Sequence, residues 1–246
     1  MFNTRYIPEA FIGLQEAYLH QLEDILEGLN SATEGKGSLF PTLATTPGSK
    51  LSLNYVKDWT YIGVGPNDGK LDGQFIPILY RKNTYTLLNF TNVWLSPTPE
   101  IPSKGTHFMV SHPVLTTCSI TGWDAPYWNR VLTIGEFKHN SSGKKLVVMN
   151  THLDDQGVLA RKKSAEIIVD RTNALLASGN YEGALLTGDF NSEANEDAYR
   201  TIQFASNSPY IDVEPLFEQR DVRRQGHNNT YTVSTSLEDF RVVLAH

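Results

Sequence analysis

The sequence predicts an α/β domain in which β-sheets form the core and helices cover them. Short runs of β-forming residues alternate along the chain with segments that carry apolar residues at helical spacing. Two of the strand runs, Leu146–Met149 and Ala184–Thr187, have the continuous apolar character of strands that are buried on both faces. Mixed elements of this kind pack as layers, so we expect sheets inside and helices outside.

Composition is consistent with one folded domain. The chain has 246 residues, of which 40% are hydrophobic and 20% charged. A domain of this length buries roughly 70–75% of the surface of its unfolded chain, so its core needs no metal or disulfide. The single cysteine, Cys118, excludes an intramolecular disulfide and a cysteine-based zinc site. No linker-like run divides the chain, and we expect one domain over 1–246.

Charge and hydropathy limit the possible partners. The net charge of −6 argues against nonspecific binding of nucleic acid through bulk positive charge. No apolar stretch reaches the roughly 20 residues of a membrane-spanning helix, and residues 1–10 lack the features of a signal peptide. We therefore expect a soluble monomer and favour the cytoplasm.

The first half of the chain begins with a strand and a helix. Phe11–Leu14 is a short apolar run, and leucine and isoleucine then recur at helical spacing until Gly28 and Asn30, where we expect the helix to end. The turn-rich loop Gly65–Gly69 separates the next two strands. The β-rich runs of this region are Trp59–Val64, Phe75–Tyr80, Tyr85–Trp94 and Val131–Phe137.

The second half alternates strand and helix. Lys145–Asn150 predicts a buried strand, and Arg161–Ser178 predicts a helix that Gly179 ends. Ala184–Thr187 predicts another buried strand, and a further helix is expected to begin near Ala194.

Polar side chains follow three of the apolar runs. Gln15 and Glu16 follow the first, the run Asn150–Asp155 follows the second, and Asp189 and Asn191 follow the third. Polar groups at strand ends can converge on one edge of a sheet. Carboxylates with amides can hold a hard divalent cation, and a nearby histidine can protonate or stabilise an oxygen atom. This combination suits the attack of water on a phosphate ester.

Each residue also has a purely structural explanation. Glu16 could be an acidic residue at a helix N-terminus, where the helix dipole favours it. Asp189 could be a turn residue and cap the helix near Ala194. His152 alone could be a buried structural histidine. The coincidence of the three favours a functional site.

The same segments resemble the endonuclease/exonuclease/phosphatase superfamily, which has the deoxyribonuclease-I-like fold, and in particular its soluble microbial and fungal-type branch. The matching segments run in family order from residue 2 to residue 191, and Asn229–Thr232 extends the match. They are Phe2–Tyr6, Ile12–Glu16, Gly73–Tyr80, Gly122–Ala125 with Arg130, Asn150–His152 and Gly188–Asn191.

The resemblance implies a four-layer α/β/β/α sandwich of two packed mixed sheets with outer helices. It also implies that this sandwich is incomplete at both ends. The single domain 1–246 contains an insert, 106–120, and a tail, 233–246, that depart from the family pattern.

The resemblance implies a divalent metal site for Mg²⁺ or Mn²⁺. Glu16, Asn3 and Asp189 would be its ligands, and Asp189 would also position and activate the attacking water. The implied activity is hydrolysis of a phosphodiester or phosphomonoester by metal-assisted attack of water.

The resemblance also assigns a catalytic set around the phosphate. Asn191 would hold the phosphate and help to place Asp189, while His152 would lie against a phosphate oxygen as that oxygen gains charge. Arg130 would order the same edge of the sheet, and Asp124 would join it. The substrate stays open among nucleic acid, nucleotide and an inositol or lipid headgroup.

Two departures from the family pattern suggest an alternative. Gln74 stands where the family commonly has a glutamate that pairs with the histidine. We expect Gln74 to accept a hydrogen bond from His152 and to raise the pKa of His152 less than a glutamate would. The family's last Ser-Asp-His motif has no counterpart after Thr232. The alternative is a member with reduced or lost activity that keeps the fold and ligand binding.

The aromatic residues Trp123, Tyr127 and Trp128 leave a choice open. They could stack on a base or a sugar ring, or they could be packing residues beside Pro126.

Overall fold

The computed structural model describes residues 11–34, 58–102, 122–213 and 240–245. Asn3, Cys118 and the insert 106–120 lie outside these residues. Within the described ranges the chain forms nine strands and three helices. In chain order these are β1 (Phe11–Gly13), α1 (Leu19–Glu34), β2 (Trp59–Ile62), β3 (Ile78–Arg81), β4 (Tyr85–Trp94), β5 (Val131–His139), β6 (Lys145–His152), α2 (Val158–Leu176), β7 (Ala184–Asp189), α3 (Asp197–Phe204), β8 (Tyr210–Asp212) and β9 (Phe240–Ala245).

The strands form two sheets. The smaller sheet is antiparallel and has the order β1-β3-β2, while the larger has the order β4-β5-β6-β7-β9-β8. The larger sheet is mixed, because β6 and β7 run parallel and the crossover between them contains α2. A parallel pair brings the carboxyl ends of both strands to the same edge of the sheet. This edge is where the candidate residues after β6 and β7 meet.

Apolar side chains pack the elements into four layers. Ile62 and Ile78 of the smaller sheet meet Phe137 and Val148 of the larger sheet in a buried cluster. The leucines of α1 cover the other face of the smaller sheet, where Leu22 is fully buried. Helices α2 and α3 cover the other face of the larger sheet. The expected α/β/β/α order is confirmed.

Several element boundaries differ from the sequence prediction. Helix α1 continues to Glu34 instead of ending near Asn30. The reason is that the Asn30 side chain is buried against β2, where its Nδ2 donates to the Trp59 carbonyl and its Oδ1 accepts from the Trp59 amide, at 3.2 and 2.9 Å. Asn30 therefore ties the helix to the sheet and does not cap its end.

The two later helices also begin away from the predicted residues. Helix α2 begins at Val158, three residues before Arg161, and α3 begins at Asp197 rather than near Ala194. The strand β4 has the predicted bounds, Tyr85–Trp94.

Part of the tail belongs to the larger sheet. Strand β9 lies between β7 and β8 and pairs antiparallel with both, with Phe240 opposite Asp189. Among the described helices, none is long and apolar enough to span a bilayer.

Candidate active site

The ends of β6 and β7 bring together three of the predicted residues. His152 and Asp189 are paired in the register of the two strands, and His152 Nε2 lies 4.0 Å from Asp189 Oδ2. Asp189 Oδ1 accepts a hydrogen bond of 2.9 Å from the backbone amide of Asn191. Asn191 has a positive φ of 44°, a conformation that asparagine tolerates better than most residues. His152, Asp189 and Asn191 therefore form one cluster.

Glycine at position 188 is required by the closeness of the two strands. A Cβ atom on Gly188 would lie 2.5 Å from the carbonyl oxygen of Thr151. Any side chain there would push β7 away from β6. The Gly-Asp-Phe-Asn segment thus holds Asp189 against the strand that carries His152.

The hydrogen bonds of Asn191 determine the tautomer of His152. Asn191 Nδ2 donates to the carbonyl oxygen of Leu153 at 2.9 Å and lies 2.9 Å from His152 Nε2. Because a carbonyl oxygen only accepts, the amide nitrogen must face this side, and His152 Nε2 must be the acceptor. The proton of the neutral ring is then on Nδ1, a buried atom with no hydrogen-bond partner in the described part of the chain.

Asn191 therefore acts through its neighbours. The resemblance assigns it to holding the phosphate, but both of its amide hydrogens are engaged by His152 and Leu153. Its contacts favour a role in positioning His152 and Asp189.

The environment keeps His152 uncharged. The pKa of His152 is lowered from 6.5 to about 3, chiefly by burial and also by the nearby Arg130 charge, while the Asp155 carboxylate opposes part of the shift. This corrects the expectation of a raised pKa. The expected hydrogen bond from His152 to Gln74 is not formed in the described structure, because His152 Nε2 accepts from Asn191 and Nδ1 has no partner there.

The end of β1 is joined to β6 by Asn150. Asn150 Nδ2 donates to the carbonyl oxygens of Leu14 and Pro77 at 2.8 and 2.9 Å, and its Oδ1 accepts from Gln15 Nε2 at 2.8 Å. Asn150 is fully buried. It is a site-building residue that the sequence reasoning did not assign, although it stood in the polar run after the strand.

Glu16 follows directly and is held in an unusual conformation. Its φ is +56°, which costs an L-residue roughly 1–2 kcal/mol. Its side chain is exposed and makes no hydrogen bond or ion pair within the described ranges. Strain of this kind is concentrated at functional sites.

Arg130 lies at the same edge and is paired with two carboxylates. Its Nη2 lies 2.9 Å from Asp155 Oδ1, and its Nε lies 3.5 Å from Asp154 Oδ2. Arg130 and Asp154 are both buried, and these Nε and Oδ2 atoms make no hydrogen bond to described residues. The structure places Arg130 directly before β5, beside the turn that follows β6, and the sequence reasoning gave no role to Asp154 or Asp155.

Asp124 has a different set of contacts. Its two carboxylate oxygens accept hydrogen bonds from the backbone amides of Leu159 and Ala160, at 3.0 and 2.6 Å. These amides belong to the first turn of α2, whose N-cap residue Gly157 has no side chain to accept them. The contacts favour a helix-capping role for Asp124 over the catalytic role that the resemblance implies.

The donor atoms at this edge suit a hard cation. Mg²⁺ is commonly held by one or two carboxylates together with water, and Glu16 and Asp189 are two carboxylates at the ends of β1 and β7. The described residues contain no group of three or more His, Cys, Asp or Glu able to hold a metal. A metal held by Glu16 and Asp189 would therefore keep several waters, and Asn3, the further predicted ligand, lies outside the described residues.

Three solved structures illustrate what the chain is similar to. It superposes on the endonuclease/exonuclease/phosphatase from Bacteroides vulgatus with a TM-score of 0.67 and 24% identity, covering 96% of this chain and 72% of that chain. It superposes on the mannosyl-6-phosphatase from Bacteroides thetaiotaomicron with a TM-score of 0.66 and 26% identity, covering 96% of this chain and 70% of that chain. It superposes on D. rerio TDP2 complexed with single strand DNA product with a TM-score of 0.54 and 16% identity, covering 96% of this chain and 70% of that chain.

No protein-family model and no curated protein sequence matches the chain. The structural likeness, together with the four layers and the cluster at the sheet edge, confirms the resemblance seen in the sequence. The chain therefore has the deoxyribonuclease-I-like fold of the endonuclease/exonuclease/phosphatase superfamily.

Proposed function

We propose that this protein is a phosphoric ester hydrolase that uses a divalent metal ion and attacks a phosphomonoester or phosphodiester with water. The observation that carries the proposal is the cluster of His152, Asp189 and Asn191 at the carboxyl ends of two parallel strands. The similarity to a protein described as a mannosyl-6-phosphatase, at 26% identity over 96% of this chain, supports the phosphatase form of this chemistry.

Each residue of the cluster has a distinct role in the proposed reaction. Asp189 is held by the Asn191 backbone amide and accepts the proton of the attacking water. His152 is neutral and lies against Asp189 and Asn191, and we assign it the contact with a phosphate oxygen that the resemblance implies. Its Nδ1–H is buried in the described structure, so a ligand must displace a neighbouring group to reach it. Asn191 keeps the His152 ring in this tautomer.

The metal would be held by Glu16 and Asp189, with Asn3 as a further proposed ligand. A bound Mg²⁺ or Mn²⁺ supplies positive charge to the phosphate and lowers the pKa of water. Arg130 belongs to the proposed set as a residue that orders the turn after His152 through Asp154 and Asp155.

The charge of the chain bears on the substrate. Its net charge of −6 favours a small ester over a long duplex held by many phosphate contacts. The similarity to TDP2 bound to single-stranded DNA keeps a nucleotide or a single strand among the candidates.

The test is a turnover assay on bis-p-nitrophenyl phosphate and p-nitrophenyl phosphate, with Mn²⁺, with Mg²⁺ and with EDTA. We expect metal-dependent product from the wild type and a loss of about 100-fold or more in kcat for His152→Ala. The matched control is His20→Ala, which removes an exposed histidine from α1.

Two results would contradict the proposal. One is an absence of metal-dependent product above the His152→Ala level, which would favour the alternative of an impaired member that retains ligand binding. The other is an equal loss in the His20→Ala and His152→Ala variants.

A further inference from the structure

Four large apolar side chains are exposed on two neighbouring segments of the surface. Tyr127 and Trp128, in the loop before β5, are 54% and 44% exposed, and Val158 and Leu159, in the first turn of α2, are 55% and 46% exposed. We call these four residues the apolar patch. Large exposed apolar groups that are grouped in this way mark binding surfaces.

The two segments are held together tightly. Asp124 accepts hydrogen bonds from the amides of Leu159 and Ala160, and a Cβ atom on Gly157 would lie 2.9 Å from the backbone nitrogen of Ala125. Arg130, at the other end of the loop, pairs with Asp155. The patch is therefore built on a rigid pair of segments.

The patch lies beside the proposed catalytic cluster. Strand β5 begins at Val131, and Leu132 pairs with Thr151, the residue before His152. The loop that carries Tyr127 and Trp128 thus leaves the sheet at the edge where β6 ends at His152. Val158 follows His152 by six residues through the Asp154–Gly157 turn.

The residue types indicate what the patch binds. Trp59 and Trp94 are buried and Trp123 is half-buried, so Trp128 is the exposed tryptophan of the described chain. Tryptophan and tyrosine present flat faces that stack on sugar rings and on bases. Neither Tyr127 nor Trp128 is a core residue, and this favours stacking on a ligand among the two roles that the sequence left open.

The polar groups around the patch suit one phosphate rather than many. Asp155 and Gln156 are exposed between His152 and Val158, and the neighbouring Arg130 guanidinium is already paired with carboxylates. A carboxylate and an amide can bind hydroxyl groups, whereas a carboxylate repels a second phosphate.

We propose that the apolar patch is a substrate subsite that stacks against the ring of a small phosphate ester while the phosphate lies at His152 and Asp189. This inference rests on the proposed function, because the phosphate must be held at that cluster. The shared chemistry of the ligand is a sugar ring or a base that carries a single phosphate.

The experiment compares three phosphomonoesters by release of inorganic phosphate with Mn²⁺ present. Mannose 6-phosphate carries a sugar ring, adenosine 5′-monophosphate carries a base and a sugar, and glycerol 3-phosphate carries no ring. For Trp128→Ala we expect KM to rise about tenfold for a ring-bearing ester with kcat nearly unchanged, and no change for glycerol 3-phosphate. Which ring-bearing ester responds identifies the ring.

Two further variants separate stacking from folding. Trp128→Phe keeps a flat ring and should keep KM for the ring-bearing ester close to the wild-type value. Phe204→Ala removes an exposed aromatic side chain from α3 and should leave all three substrates unaffected. Equal changes for ringed and ringless esters, or a Trp128→Ala enzyme that behaves like Phe204→Ala, would overturn the inference.

A failure of the proposed function is seen separately. If the wild type hydrolyses none of the three esters, the proposed function fails and calorimetric titration of the same esters tests the patch. Weaker binding of a ring-bearing ester to Trp128→Ala than to Phe204→Ala would support the subsite, and equal binding would overturn it.

Discussion

Replacing Asp124 distinguishes helix capping from catalysis. In Asp124→Ala, the amides of Leu159 and Ala160 lose the carboxylate oxygens that accept from them at 3.0 and 2.6 Å. Loss of a capping side chain costs about 0.5–2 kcal/mol. Both hydrogen bonds are lost here, and Gly157 supplies no replacement, so we expect the upper half of this range, about 1–2 kcal/mol.

The assay measures stability and turnover in the same preparation. A loss of 1–2 kcal/mol lowers the Tm of a chain of this size by roughly 2–8 °C. Urea unfolding should show a lower midpoint with an unchanged slope. Below the unfolding transition, kcat should stay within about twofold of the wild type, because Asp124 serves the helix and not the substrate.

Asp124→Asn serves as the matched control. Its amide keeps one oxygen acceptor, so it should retain part of the lost stability. The reasoning would be refuted by an Asp124→Ala protein that unfolds like the wild type but loses kcat by 100-fold, which is the behaviour of a catalytic carboxylate.

Three other predictions follow from the site. The pKa of His152 is about 3 in the folded protein and near 6.5 when unfolded. Its contribution to the free energy of unfolding is therefore present above pH 6.5 and is lost as the pH falls toward 3. Urea unfolding at several pH values should show a smaller loss of unfolding free energy between pH 6.5 and pH 3 for His152→Gln than for the wild type. Asn150→Ala leaves the Leu14 carbonyl oxygen and the Gln15 amide without these partners and removes one of the two hydrogen bonds to the Pro77 carbonyl oxygen. It should cost about 2–4 kcal/mol by chemical unfolding, more than Gln15→Ala, and equal losses would contradict the account of Asn150. Glu16→Gly relieves a positive φ and should raise the free energy of unfolding by about 0.5–1 kcal/mol. Its Mn²⁺ binding, measured by calorimetry, should weaken by tenfold or more. Glu16→Gln should weaken Mn²⁺ binding without the gain in stability.

Much of the fold could be predicted because the signals are local. The apolar runs that predict β6 and β7 reflect which residues lie inside the larger sheet, and these two strands and β4 begin at the predicted residues. Helix boundaries were less predictable where a distant residue supplies the cap or the contact. Asn30 is a helix-ending residue by type, yet its side chain is hydrogen-bonded to Trp59 and α1 continues beyond it.

The sequence also placed the polar residues that matter at strand ends, since a strand that ends in Asn-Thr-His or Gly-Asp-Phe-Asn presents those side chains at the sheet edge. It could not assign their individual roles. The neutral tautomer of His152 depends on Asn191, which is 39 residues away, and the capping role of Asp124 depends on a helix 35 residues away.

By itself, then, the sequence determined the layered α/β architecture and the group of residues at one sheet edge, because both depend on residue type and spacing along the chain. Only the tertiary structure decided that His152 is buried and uncharged, that Asp124 serves a helix, and that Trp128 is exposed beside the site. These properties depend on which distant segments surround a side chain. Burial, charge neighbours and hydrogen-bond partners of this kind exist only after the layers have packed.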